Sequence, residues 1–167
     1  MLAPPSPGRF GHDVAIARRL ALAVPAALLG GAWGSQIWGG LFPCEICWWQ
    51  RYPHMVAIAL ALAALLIRDR PGVSRALIAL AALGIAVSGA IGIFHAGVEQ
   101  GWWEGLTTCS SNGAHSLNEI LASPMIRCDQ IQFEFLGLSL AVWNAAISLG
   151  GAALIGGLLW RGRKVAR

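Results

Sequence analysis

Charge is what this sequence has least of: only 12% of its 167 residues are Asp, Glu, Lys or Arg. Soluble domains carry about 25%, so an ordinary water-exposed globule is excluded. Three stretches, 20–42, 76–98 and 135–160, contain no charged residue at all. Their lack of acidic side chains leaves no ladder of carboxylates for moving a cation through lipid. A second C-x-x-C pair is also missing, which removes the four-ligand zinc site that two such pairs would build. No pattern supports nucleic-acid binding, so the basic balance needs another explanation.

What is present is apolar and arrives in blocks. Each uncharged run reaches the roughly 20 residues that a helix needs to cross about 30 Å of hydrocarbon. A fourth block, 52–67, is short by that standard. Extending its helix back to Cys47, with a bend at Pro53, gives a fourth span. Of the twelve basic residues, ten lie at the two ends and in the segment 68–75, against two acidic ones there, a net +8. The two other loops hold Arg51 and Arg127 against six acidic residues, a net −4. The positive-inside rule then puts both termini in the cytoplasm. The expected fold is an all-α membrane protein, one four-helix transmembrane domain over 1–167. Its spans fall at about 20–42, 47–67, 76–98 and 135–160, and its outward loops at about 43–50 and 99–134. Arg18 and Arg19 before an apolar run imitate a cleaved signal; cleavage would leave three spans whose loops conflict with their charge, so the segment is read as retained.

The cysteines are confined to the outward loops: Cys44 and Cys47 in the first, Cys109 and Cys128 in the second. An oxidising compartment allows disulfides there. Two thiols separated by two residues form a strained disulfide or a pair with one readily ionised sulfur. Arg51, four residues beyond Cys47, falls on the same helical face and favours a thiolate, as does the helix N-terminus. As a staple, so short a loop restrains the unfolded chain little. Redox chemistry is therefore the preferred reading of Cys44 and Cys47. For Cys109 and Cys128, a staple worth about 3 kcal/mol and a redox pair are equally compatible with position.

Other residues are placed relative to that pair. His95, at the outer end of the third run, shares the depth of Arg51 and is an ionisable group at membrane depth. Trp38, Trp48, Trp49, Trp102 and Trp103 flank the outward boundary as interfacial anchors, with Trp48 and Trp49 as alternative walls for a flat ligand. Gly30, Gly34, Ser35 and Gly39, and separately Gly84, Ser88 and Gly92, space small residues for close helix approach. Pro25 is expected to bend the first span. In the second loop, Ser116 to Glu119 forms a capping box before a short amphipathic helix. Asn144 is read as interhelical glue. A metal site of Cys44, Cys47 and His95 is a further alternative, and a tetraspan protein with two structural disulfides is another.

Together these residues resemble the DsbB family, membrane proteins that generate disulfides for the bacterial periplasm using quinone. The resemblance covers essentially the whole chain: Pro43, Cys44 and Cys47 with Arg51 four residues on, His95, Cys109 and Cys128, and Phe135-Leu136-Gly137-Leu138. It implies an inner-membrane, multi-pass thiol oxidoreductase with periplasmic cysteine loops. Its cofactor would be ubiquinone or menaquinone, and its partner a DsbA-like thioredoxin-fold oxidase. Carried over by position, Cys109 is attacked by the partner's thiolate, Cys128 leaves and reduces the Cys44–Cys47 bond, and Cys47 faces the quinone. Arg51 and His95 position the quinone oxygens. The chain departs from the family's pattern at Gln50, often acidic there, at Pro53, and in a shortened segment between Cys109 and Cys128. A branch of the family serving a dedicated substrate is an alternative to general DsbA oxidation.

Overall fold

The structure, a computed structural model, describes residues 7–105 and 127–165. Within these lie four helices: α1 (Pro7–Ile37), α2 (Glu45–Leu66), α3 (Pro71–Glu99) and α4 (Leu140–Val165). Each packs on the next in sequence, and α4 closes back on α1. Antiparallel pairing of α2 and α3 follows from two tie points, Ser74 Oγ donating to Ala64 O at 2.9 Å and Ser88 Oγ donating to Gln50 O at 2.8 Å.

Three helices contain segments long and apolar enough to cross a membrane: Gly11–Ile37, Pro71–Glu99 and Leu140–Gly162. The fourth span expected from sequence, now α2, lies outside that set. Its first turns carry Gln50, Arg51 and His54, all buried inward, so its polarity belongs to the interior. The bundle is turned out relative to a soluble protein. Leu62, Leu66, Leu83, Ile93 and Leu154 are exposed, whereas Gln50, Arg51, His54, Ser88, His95 and Ser148 are buried. Alanines at 17, 21, 57, 61, 64, 81 and 82, with Ile78, Ile85 and Ile155, fill the half of the core away from that polar cluster. Small side chains let backbones approach where lipid supplies no hydrophobic drive.

The small-residue stripes behave differently on two helices. On α3, a Cβ at Gly84 would sit 3.2 Å from Pro53 O of α2, and one at Gly92 would sit 3.0 Å from Ala141 O of α4. On α1, a Cβ at Gly30 would meet nothing and one at Gly34 only Trp38, in the turn that directly follows the same helix, so these glycines mediate no helix contact. Pro25 and Pro53 both lie within continuous helices.

Three expected boundaries need correction. The first helix starts at Pro7 and ends at Ile37, earlier at both ends than 20–42. The second starts at Glu45, so 45–50 is helix and not loop. The fourth begins at Leu140 because 134–139 forms a hairpin, β1 (Glu134–Phe135) paired antiparallel with β2 (Leu138–Ser139). Its turn residues, Leu136 and Gly137, have φ of 54° and 76°, the two positive values that a type I′ turn demands. Ser139 Oγ then accepts from Val142 N at 3.4 Å and caps α4. Trp143 Nε1 donates to Phe135 O at 2.9 Å and pins the hairpin to the helix. The capping box at Ser116 to Glu119, and with it the amphipathic helix, lies outside the described residues.

Candidate functional site

The site is built on the N-terminus of α2. Cys44 is the N-cap, in extended conformation, and its Sγ accepts from Cys47 N at 3.2 Å. A sulfur thus fills the place that a Ser or Asp oxygen usually takes. The same geometry brings Cys44 Sγ to 2.8 Å from Cys47 Sγ, with the two thiols not joined. Cys128 supplies a third sulfur from the loop before the hairpin. It is buried beside Cys44, Ile46 and Val98 and shares a hydrogen bond with the Cys44 side chain. Next to it, Arg127 Nε donates to Asp129 Oδ1 at 2.8 Å, an ion pair that holds the Asp129 carboxyl below the usual carboxylate range.

The hydrogen bond to Cys128 raises the pKa of the Cys44 thiol, as do its bond to Cys47 and its burial. Cys44 stands between the other two sulfurs, in contact with each.

Beneath the sulfurs runs a chain of amides and imidazoles whose polarity can be read from the donors. Asn144 Nδ2 donates to Gln50 Oε1 at 2.8 Å. Gln50 Nε2 therefore faces His95 Nδ1, also at 2.8 Å, and donates to it. A neutral His95 whose Nδ1 accepts must carry its proton on Nε2. That nitrogen lies 3.6 Å from Cys44 Sγ and 3.8 Å from Glu99 Oε1. Glu99 in turn accepts a short hydrogen bond from Ser139 Oγ. Three helices, α4, α2 and α3, thereby converge on one sulfur.

Arg51 takes a different direction. It is 6% exposed, yet among the described residues its guanidinium bonds only neutral acceptors, Gln36 Oε1 at 2.9 Å and Ala32 O at 3.1 Å. Trp48 lies against its other face, 4.9 Å from the ring centroid, a cation–π contact. Among the described residues no carboxylate pairs with Arg51. A cavity of about 230 Å³ opens here, bounded by Leu28 and Ala32 of α1, Phe42, Leu140 and Trp143, with Cys44, Cys47, Arg51 and His95 along its wall. That volume is below the about 300–1,000 Å³ of pockets that engulf a whole drug-sized ligand.

Four of the six residues singled out from the sequence, Cys44, Cys47, Arg51 and His95, line this cavity, and Cys128 touches it through Cys44. Cys109 lies outside the described residues. Trp48 and Trp49 do not wall the cavity. Trp48 stacks on Tyr52 and Arg51, and Trp49 faces an outer groove with Tyr52 and Pro53. Asn144 bridges helices as expected and also lines the cavity. Sequence reasoning missed Gln50 as the link to His95, and missed His54 altogether. The available signal was helical phase, since Cys47, Gln50, Arg51 and His54 recur at the i, i+3, i+4, i+7 spacing of one face.

The model of the family described as disulfide bond formation protein DsbB matches residues 15–158. A curated relative from Rickettsia prowazekii (strain Madrid E), "Uncharacterized protein RP370", is 24% identical over 115 residues, which is 64% of this chain and 65% of that protein. The chain thus spans just under two thirds of the length of the curated relative it matches. No solved structure matches.

Proposed function

As this chain belongs to the DsbB family, we propose that it is a quinone-dependent thiol oxidoreductase of the bacterial inner membrane. It re-oxidises a DsbA-like thioredoxin-fold protein in the periplasm. In this reading all four helices span the bilayer, both termini are cytoplasmic and the cysteine loops are periplasmic. The inverted burial of polar and apolar side chains and the charge asymmetry support that placement.

One observation carries the functional reading. Cys128, Cys44 and Cys47 touch in that order, and the last two border an apolar cavity with a buried arginine that no carboxylate neutralises among the described residues. Exchange proceeds by attack of a thiolate on a disulfide sulfur. The partner's thiolate attacks Cys109 and frees Cys128. The Cys128 thiolate attacks Cys44 of the oxidised Cys44–Cys47 pair, forming a Cys44–Cys128 bond and releasing Cys47 as a thiolate. The partner's second thiol then resolves its mixed disulfide with Cys109, and the Cys109 thiolate regenerates the Cys109–Cys128 bond by expelling Cys44. His95 Nε2–H is placed to meet the charge on that departing sulfur. Cys44 and Cys47 are left as dithiols. Held beside Cys47 and Arg51, a quinone would take their two electrons and two protons as the Cys44–Cys47 bond re-forms, and would leave as quinol. The net change is one partner dithiol oxidised and one quinone reduced.

The fit to a quinone headgroup rests on this chain's own residues. Apolar residues, among them Leu28, Ala32, Phe42 and Leu140, form one part of the wall and polar ones, among them Gln50, His95 and Asn144, another, and Arg51 offers positive charge where a thiolate and a reduced oxygen would lie. A second reading has one observation in its favour, since the donor atoms of Cys44, Cys47 and His95 lie within 4.8 Å of one another and could hold a soft cation. Against it, Gln50 fixes the proton of His95 on Nε2, the atom such a cation would need. Metal analysis of the purified reduced protein separates the two.

The direct test is anaerobic turnover of the purified protein with a reduced DsbA-like substrate and a soluble quinone. Quinone absorbance is expected to fall by one equivalent per partner disulfide formed, and Cys44→Ser and Cys109→Ser each abolish this. Arg51→His is expected mainly to weaken quinone use. Full turnover by the Cys44→Ser chain would overturn the proposal.

A further inference from the structure

All four helices contribute to the cavity wall, but part of that wall is a stretch without regular structure. Residues 127–133 lend Arg127, Gln130, Gln132 and Phe133 to the lining, and each of the four is also exposed. The stretch is held at its two ends. At one, Cys128 is buried beside Cys44, Ile46 and Val98, shares a hydrogen bond with the Cys44 side chain, and has its backbone hydrogen-bonded to His95. At the other, Trp143 Nε1 donates to Phe135 O at 2.9 Å and Ser139 Oγ donates to Glu99, which fixes the hairpin that follows. The same seven residues thus bring the Cys128 sulfur to Cys44 and complete the cavity.

A ligand in the cavity touches this stretch only while Cys128 is docked, so it binds the docked chain better than the undocked one. Coupling of this kind is reciprocal: whatever docking adds to ligand affinity, the ligand adds to docking. Building on the quinone reading, we propose that residues 127–133 are a wall of the quinone site, with Phe133 as its apolar contact, and that quinone binding and docking of Cys128 on Cys44 strengthen each other. The consequence concerns timing. Cys128 is then held against the Cys44–Cys47 bond most firmly when an electron acceptor is already in place. Electrons enter that pair when they have somewhere to go, and a reduced Cys44–Cys47 pair does not accumulate beside an empty cavity. Phe133 acts here as a binding residue, and Cys128 keeps the exchange role given above.

The experiment reads docking and binding without turnover. In the full chain carrying Cys44→Ser, Cys47→Ser and Cys109→Ser, in bilayer discs, Cys128 is the one thiol. A short-chain quinone with all four ring positions substituted is titrated in, and binding is followed by quenching of tryptophan fluorescence, with Trp143 on the cavity wall as reporter. The rate of Cys128 alkylation by a charged maleimide reports undocking at each concentration. Saturating quinone is expected to slow alkylation about tenfold, within the usual range of coupling between sites. With Phe133→Ala the slowing is expected to shrink to about twofold or less and quinone to bind about fivefold more weakly, by the same linkage. A second arm is independent of how that variant folds. In the chain carrying Cys47→Ser and Cys109→Ser, the closed Cys44–Cys128 disulfide is expected to bind quinone about tenfold tighter than the same chain with Cys128→Asp, whose charge resists burial beside Ile46 and Val98. Saturable binding with unchanged alkylation, equal slowing in the Phe133→Ala chain, or equal affinity in the second arm overturns the proposal and leaves the quinone reading standing. If no chain binds the quinone saturably, the quinone reading itself fails, and this inference with it.

Discussion

Gln50→Leu tests the polar chain under the sulfurs. The side chain is 7% exposed and donates to His95 Nδ1 at 2.8 Å while accepting from Asn144 Nδ2 at 2.8 Å. Leucine fills similar space and makes neither bond. Asn144 Nδ2 keeps Ser88 O and Ser88 Oγ, each at 3.2 Å, so its loss is small. His95 Nδ1, in a ring 4% exposed, loses the hydrogen bond from Gln50. An orphaned buried acceptor costs about 1–3 kcal/mol, and that is the expected destabilisation, nearly all of it assigned to His95. Equilibrium unfolding in detergent or bilayer discs measures it. A double-mutant cycle with His95→Phe isolates the pair and is expected to give a coupling of about 1 kcal/mol or more. With its tautomer released, His95 no longer directs Nε2–H at Cys44, so turnover is expected to fall. A loss under about 0.5 kcal/mol together with zero coupling would refute the assignment of donors along this chain.

Other outcomes follow from the same geometry. Arg51→Lys keeps the charge but cannot reach Gln36 Oε1 and Ala32 O together; a stability loss of about 1.5–3 kcal/mol and a raised KM for quinone are expected from unfolding and steady-state assays. Cys128→Ala removes the first cause of the raised Cys44 pKa. The pH at which Cys44 alkylation reaches half its maximal rate is therefore expected to move down, as followed by peptide-resolved mass spectrometry. Leu136→Gly relieves a non-glycine residue at φ 54° and is expected to stabilise the folded chain by about 1 kcal/mol, read as a rise in Tm.

The parts of this site that were legible from sequence are those with fixed spacing. Cys44, Cys47 and Arg51 lie within eight residues on one helical element, so the 3.6-residue period alone brings them together. His95 was reachable through depth, because a span ends near it. Gln50, His54, Ser88 and Asn144 were harder. Each is a single polar residue in an apolar run, and such a residue suits an interface, a helix contact or a site equally well. Their meaning depends on which donor faces which acceptor across three helices, and that is tertiary information. The hairpin at 134–139 was hidden for a local reason: Leu136 adopts the positive φ that is expected of glycine or asparagine, so the run 135–160 reads as one uninterrupted helix. The meeting of Cys128 with Cys44 joins positions 84 residues apart, and no spacing rule reaches that far.

That meeting is the contact on which the proposed electron path depends. In a chain carrying Cys47→Ser and Cys109→Ser, only Cys44 and Cys128 remain, and oxidised glutathione can be used to close any bond that their positions permit. Mass spectrometry of the digested monomer is expected to find the Cys44–Cys128 disulfide in most molecules. If both cysteines instead stay separately alkylatable, or bond only between molecules, the two sulfur couples do not exchange through this contact and the account is wrong.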